Sequence, residues 1–211
     1  MSGKEINTSL IELHYLPNVA FFTVMANSQK VILEAEENFQ RQSLRNRAYI
    51  QTTNKVDRLT VPVIGARKPQ KIKDIQIDYT EKWQNRHWRA ITSAYANAPF
   101  FEHYEGAFYK IIYTNHRFLF ELNLDLLTLC LKYLKLGTEL SQTDSYQTDK
   151  PEGIRDFRSV ISDKSSGGII HATPYHQLFT DNFIENLSVI DLLFNEGPNS
   201  KAIIKSQKLF V

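Results

Sequence analysis

The sequence predicts an α/β protein in which a small mixed sheet, opening with a β-α-β unit, packs against several helices. Three observations carry this. Two short apolar runs, residues 9–13 and 30–34, flank an apolar segment at 18–27 that is long enough for a helix. A second segment, near residues 122–136, is apolar almost all round, as a central buried helix requires. The chain has 211 residues, 42% hydrophobic and 23% charged, so residues 1–211 are expected to fold as one domain with a real core.

Taken in order, residues 9–13 form the first strand, 14–17 a loop, 18–27 a helix and 30–34 a second strand built on Val31, Ile32 and Leu33. That order makes the two strands parallel. It also places the loop after the first strand at the carboxyl edge of the sheet, where open α/β folds bind ligands. Residues 49–51 and 59–64 are further strands. Pro62 cannot donate to a ladder, so it belongs at an edge or a strand end. Residues 83–98 read as a helix stopped by Pro99, with Trp83, Ile91 and Tyr95 on its apolar line and His87 on the same stripe. The central helix has Asp125 in its first turn, Lys132 and Lys135 near its end, and Gly137 as its closing residue. Residues 140–150 (LSQTDSYQTDK) are polar enough for a solvated loop. Ser188 is placed to cap a helix over 189–196 with Asp191 three residues on, and Gly197 and Pro198 close it.

Charge and composition exclude several function classes. Residues 1–99 hold 14 basic and 9 acidic side chains and residues 100–211 hold 11 and 14, so neither half is a nucleic-acid surface. Cys130 is the single cysteine, which rules out an internal disulfide and a CxxC pair. The most apolar window, 118–136, contains Glu121, Asn123, Asp125, Lys132 and Lys135, too costly a set for a bilayer span, and residues 1–8 lack the pattern of a signal peptide. A cytoplasmic protein with no integral membrane segment is expected. No Walker loop, GxGxxG, GxSxG or HExxH occurs, and Gly167 and Gly168 read as a turn, so no cofactor is named. His171 and His176 lack a metal-ligand spacing supported elsewhere, and no metal is expected.

The candidate chemistry lies in a few side chains. Alternate residues of an extended segment face the same way, so Arg45 and Arg47 could present two guanidinium forks on one side, with Asn46 turned opposite. Such a pair suits the phosphate or carboxylate of a small anionic substrate. His14, beside Tyr15 at the sheet edge, and His87 on the Trp83 stripe are the candidates for moving a proton. Pattern alone favours the plainer reading, in which the arginines are surface groups in a loop and each histidine is a packing residue.

Five stretches together resemble the WbqC-like protein family: residues 14–22 (HYLPNVAFF), 39–50 (FQRQSLRNRAYI), 59–63 (LTVPV), 72–104 (IKDIQIDYTEKWQNRHWRAITSAYANAPFFEHY) and 175–198 (YHQLFTDNFIENLSVIDLLFNEGP). The resemblance implies a role in building O-antigen and related surface polysaccharides, with glycine or a related group transferred onto a nucleotide-linked or lipid-linked sugar precursor. A non-catalytic module that binds such a precursor or a partner enzyme is the alternative. Carried over by residue, the resemblance places Tyr15 and Pro17 in the entry loop, Asn46 and Arg47 in an NR pair, Trp83 and His87 in a WxxxH helix, and Tyr175 and Gln177 at the start of the last motif. Many relatives carry Gln-Pro where this chain has Leu13 and His14. Capping accounts for Ser188 and Asp191.

Overall fold

A computed structural model describes residues 7–65, 68–149, 152–162, 169–179 and 182–210. The chain opens with β1 (Thr8–Glu12), α1 (Val19–Ala26) and β2 (Lys30–Glu34), the expected β-α-β unit. The two strands are parallel, with Leu10 opposite Ile32 and Glu12 opposite Glu34. Helix α1 (VAFFTVMA) is buried along nearly its whole length, so its apolar residues need no polar face. Asn18 caps it by accepting the Phe21 N–H at 3.0 Å.

The hairpin β3 (Arg47–Gln51) and β4 (Val56–Thr60) follows. The second strand ends at Thr60 rather than running on to residue 64, because Pro62 lacks the N–H that a ladder requires. Next come α2 (Trp83–Tyr95), α3 (Phe101–Tyr113) and α4 (Leu119–Leu134). Helix α2 stops three residues short of the expected 98, in a tight turn ahead of Pro99. Helix α3, not foreseen, packs against α2 and α4. Helix α4 starts three residues earlier than expected and closes at Lys135 (φ 51), not Gly137. The Leu136 N–H turns back to the Leu131 carbonyl at 3.1 Å, satisfying one of the last free acceptors.

Part of the expected polar loop is a strand. β5 (Glu139–Gln142) pairs in parallel with β2, and β6 (Ile154–Asp156) pairs in parallel with β1. The main sheet therefore runs β5-β2-β1-β6 and is parallel throughout, with the antiparallel pairs standing apart from it. An edge strand is held by backbone bonds, so its polar composition is no obstacle. The two-residue strand β7 (Ile170–His171), α5 (Val189–Glu196), α6 (Ser200–Ser206) and β8 (Lys208–Leu209) complete the chain, with β7 and β8 antiparallel. Among the described residues, no helix is long and apolar enough to cross a membrane. Gly167 and Gly168 lie outside the described residues.

The turn after α5 needs its glycine. Gly197 has φ 51, and a Cβ there would lie 2.5 Å from the ring of Phe100. Gly197→Ala is expected to combine backbone strain with overpacking, costing roughly 2–4 kcal/mol. Thermal unfolding checks it: a melting temperature within a degree of wild type would show that Phe100 swings clear.

Candidate functional site

At the carboxyl edge of the parallel sheet, the loop after β1 meets the start of β3 and the segment before α5 around a cavity of about 170 Å³. Its lining includes His14, Tyr15, Arg47, Tyr49, Asn186 and Ser188. The entry loop is fastened from several sides. The Ser188 hydroxyl donates to the Leu16 carbonyl at 2.9 Å, the Val189 N–H to Pro17 at 2.9 Å, and the Ser188 N–H to Tyr49 at 2.8 Å. Two non-glycine residues of this lining, Leu16 (φ 41) and Asn186 (φ 58), take the left-handed conformation. Such backbone costs of order 1–3 kcal/mol each and gathers at functional sites.

His14 lines this cavity. Its ring is buried and packs on Phe21 with centroids 5.2 Å apart. Nε2 lies 3.3 Å from Glu12 Oε1, an ion-pair distance without the alignment of a hydrogen bond, and Nδ1 has no hydrogen-bond partner among the described residues. Behind it, Glu12 accepts the Ser159 N–H at 3.0 and 3.1 Å and lies 3.6 Å from Arg45 Nη2. Burial raises the Glu12 carboxyl, but His14, Arg45 and the local backbone outweigh it and hold Glu12 below its ordinary value. A carboxylate that stays ionised behind an imidazole orients the ring.

Arg45 has a different post from the one its spacing suggests. It is buried and clamps Glu37 through two bonds of 2.6 Å, from Nε to Oε1 and from Nη2 to Oε2. Residue 45 precedes β3, so strand alternation does not aim it beside Arg47. Asn46 is buried too and donates to the Val61 carbonyl at 2.9 Å. Arg47 lines the His14 cavity and, with Asn46, a second recess next to it.

His87 supports Tyr15. The Thr60 carbonyl, 3.1 Å away, can only accept, so His87 Nε2 carries the proton and Nδ1 accepts the Tyr15 hydroxyl at 2.9 Å. Burial, followed by the Thr60 contact acting the other way and nearby Arg86, leaves His87 lowered to about 4. Trp83 lies wholly in the core, edge-on to His87. Tyr175 and Gln177 also sit inside, where both bind Asp191, Tyr175 at 2.6 Å and Gln177 at 3.1 Å, and Tyr95 adds a third bond at 2.9 Å. Burial raises the Asp191 carboxyl despite these three donors. Asp191 is thus a buried acceptor and not a helix cap, and Ser188 gives its hydroxyl to Leu16 instead of to α5. Gln177 also grips both backbone groups of Ile184, at 2.9 and 3.0 Å, and so fixes the start of the cavity wall.

The cavity thus joins the first, second and last of the stretches that carry the sequence resemblance. The sequence profile of the WbqC-like protein family matches residues 13–162 and 169–203, most of the chain. The chain belongs to the WbqC-like protein family. It is also 29% identical over 220 residues to "Uncharacterized protein Rv1507c" of Mycobacterium tuberculosis, covering 91% of this chain and 94% of that one. No solved structure matches. In this WbqC-like chain Glu12 is the residue the sequence reading passed over. Its signal was present, because Glu12 and His14 are two apart on an extended segment and so share a face. Among the described residues, no three His, Cys, Asp or Glu side chains gather as metal ligands.

Two outcomes follow from the buried groups. Removing Arg45 leaves Glu37 and Glu12 uncompensated, so Arg45→Ala is expected to lose about 3–5 kcal/mol in urea unfolding. An unchanged midpoint would show that water reaches the pair. His87, lowered on folding from 6.5 to about 4, contributes stability that is whole above pH 6.5 and is lost as pH falls through about 4. The loss is about 3 kcal/mol, and unfolding curves of His87→Gln should lack that share of the acid slope.

Proposed function

We propose that this protein is a group-transfer enzyme of surface-polysaccharide synthesis, acting on an anionic, sugar-linked precursor. One observation supports it above the others: a buried imidazole with an unpartnered Nδ1 lines a cavity beside Arg47, with an ionised carboxylate behind its other nitrogen. In this reading Arg47 holds the phosphate or carboxylate of the precursor, and His14 takes the proton from the acceptor amine or hydroxyl. The acceptor's lone pair forms the bond to the incoming acyl or glycosyl group of an activated donor. The donor's bond to its leaving group breaks with its electron pair, and His14 returns the proton to that group. Tyr15 is held by His87 and lines the same space, while Glu12 keeps the imidazole in register.

A binding module without turnover is the second reading, favoured by the sealing of both His14 nitrogens from solvent. A thermal-shift screen of the whole chain against nucleotide sugars, amino acids and sugar amines, followed by mass spectrometry of each stabilising pair, separates the two. The enzyme reading expects a product mass from at least one pair. It expects His14→Gln to lose transfer by roughly 10²–10⁴-fold while keeping most of the ligand-induced shift. Stabilisation with no product from any pair favours the module, and a His14→Gln variant that turns over at the wild-type rate would remove His14 from the chemistry.

A further inference from the structure

The recess beside the His14 cavity measures about 230 Å³ and is lined by Phe39, Arg41, Gln42, Asn46, Arg47 and Val63. We propose that it is a subsite for the phosphate and a neighbouring hydroxyl of a phosphorylated polyhydroxy ligand. The pairing suggested by spacing, Arg45 with Arg47, is not available, because Glu37 and Glu12 neutralise Arg45 inside the protein. The structure instead brings Arg41 and Arg47 to one recess. Arg41 is exposed and makes no ion pair among the described residues. Two guanidinium groups with planar, forked donors match a phosphate better than lysines would.

Asn46 adds the second half of the recognition. Its Nδ2 donates to the Val61 carbonyl, which fixes the orientation of the amide and leaves Oδ1 as an acceptor. That oxygen is buried and meets no donor among the described residues, in a side chain 7% exposed. A buried acceptor needs a donor, and a phosphomonoester dianion has none to give. The ligand must therefore bring an anion for the arginines and a hydroxyl for Asn46 on the same molecule. Both cavities fall below the roughly 300–1,000 Å³ of a whole small-molecule site, so each holds part of a ligand. Arg47 lines both and joins them. The subsite stands on its own residues, and only the placing of the ligand's reacting end against His14 rests on the group-transfer reading.

Calorimetric titration of the whole chain tests this with glucose 1-phosphate, uridine diphosphate, methyl phosphate and glucose. The first two each carry a phosphate near a hydroxyl, and the tighter of them identifies a sugar phosphate or a nucleotide as the source. Methyl phosphate, without the hydroxyl, is expected to bind at least several-fold more weakly than the better of these, and glucose not to bind. Arg41→Ala should weaken the better ligand by about tenfold to a hundredfold and Arg41→Lys should recover part of that, with the unliganded melting temperature unchanged. His14→Gln should keep most of that binding. The proposal is overturned if neither phosphate ester binds, if Arg41→Ala binds as wild type, or if glucose binds as tightly as its 1-phosphate. Arg41-dependent binding together with no transfer product in any assay would sink the enzyme reading and leave the subsite standing.

Discussion

The buried guanidinium of Arg45 is the contact on which the rest of this architecture depends. It reaches Glu37 in the segment after β2 and Glu12 at the end of β1, and its backbone carbonyl accepts a bond of 2.8 Å from Asn123 in α4. One residue thus ties a strand end, a long connection and the central helix together. The arrangement tolerates no partial version, since a single unpaired charge at that depth costs more than the pair gains. His14 and the entry loop inherit their positions from it through Glu12.

A related constraint runs along the carboxyl edge of the sheet. Three adjacent parallel strands, β2, β1 and β6, end in Glu34, Glu12 and Asp156. Glu12 and Glu34 are register partners on strands about 4.8 Å apart, and Asp156 lies opposite Leu10, two residues back along β1, so the three carboxylates would repel one another if left alone. Arg45 approaches Glu12 from one side, and Arg158 bridges Asp156 and Glu34 from the other, at 2.6 and 3.2 Å. Thr143 and the Glu36 N–H complete Glu34. The edge that opens to the cavity is therefore stiffened by charge, while α1 and the opposite face of β1 and β2 are held by apolar packing.

Where the governing interactions are local, this fold can be read from its sequence. β1, α1, β2 and α4 follow from apolar periodicity and from caps within a few residues, and each lies near its expected place. β5 escaped because an edge strand needs no apolar signature. Arg45 looked like a surface fork because nothing near it in sequence reveals its enclosure by residues 12, 37 and 123. Asp191 looked like a cap for the same reason, as its partners Tyr95 and Tyr175 lie 96 and 16 residues away. The family resemblance drew attention to Asn46 and Arg47, which pattern alone left as surface groups, and the fold puts both on recesses.

The wall of the cavity comes from the far end of the chain. Asn186 Oδ1 accepts the Ala20 N–H at 2.8 Å, and the Leu187 carbonyl accepts that of Val19 at 3.1 Å, so residues 186 and 187 finish the amino end of α1. These bonds span more than 160 residues of sequence. During synthesis, β1 and α1 leave the ribosome long before the segment that seals them, and contacts so distant in sequence form late. An apolar helix with open N–H groups must wait for more than 160 further residues to be made before its closure. The cavity therefore exists only once residues 186 and 187 have been made and have folded back on α1, which makes its completion a late event in the folding of this domain.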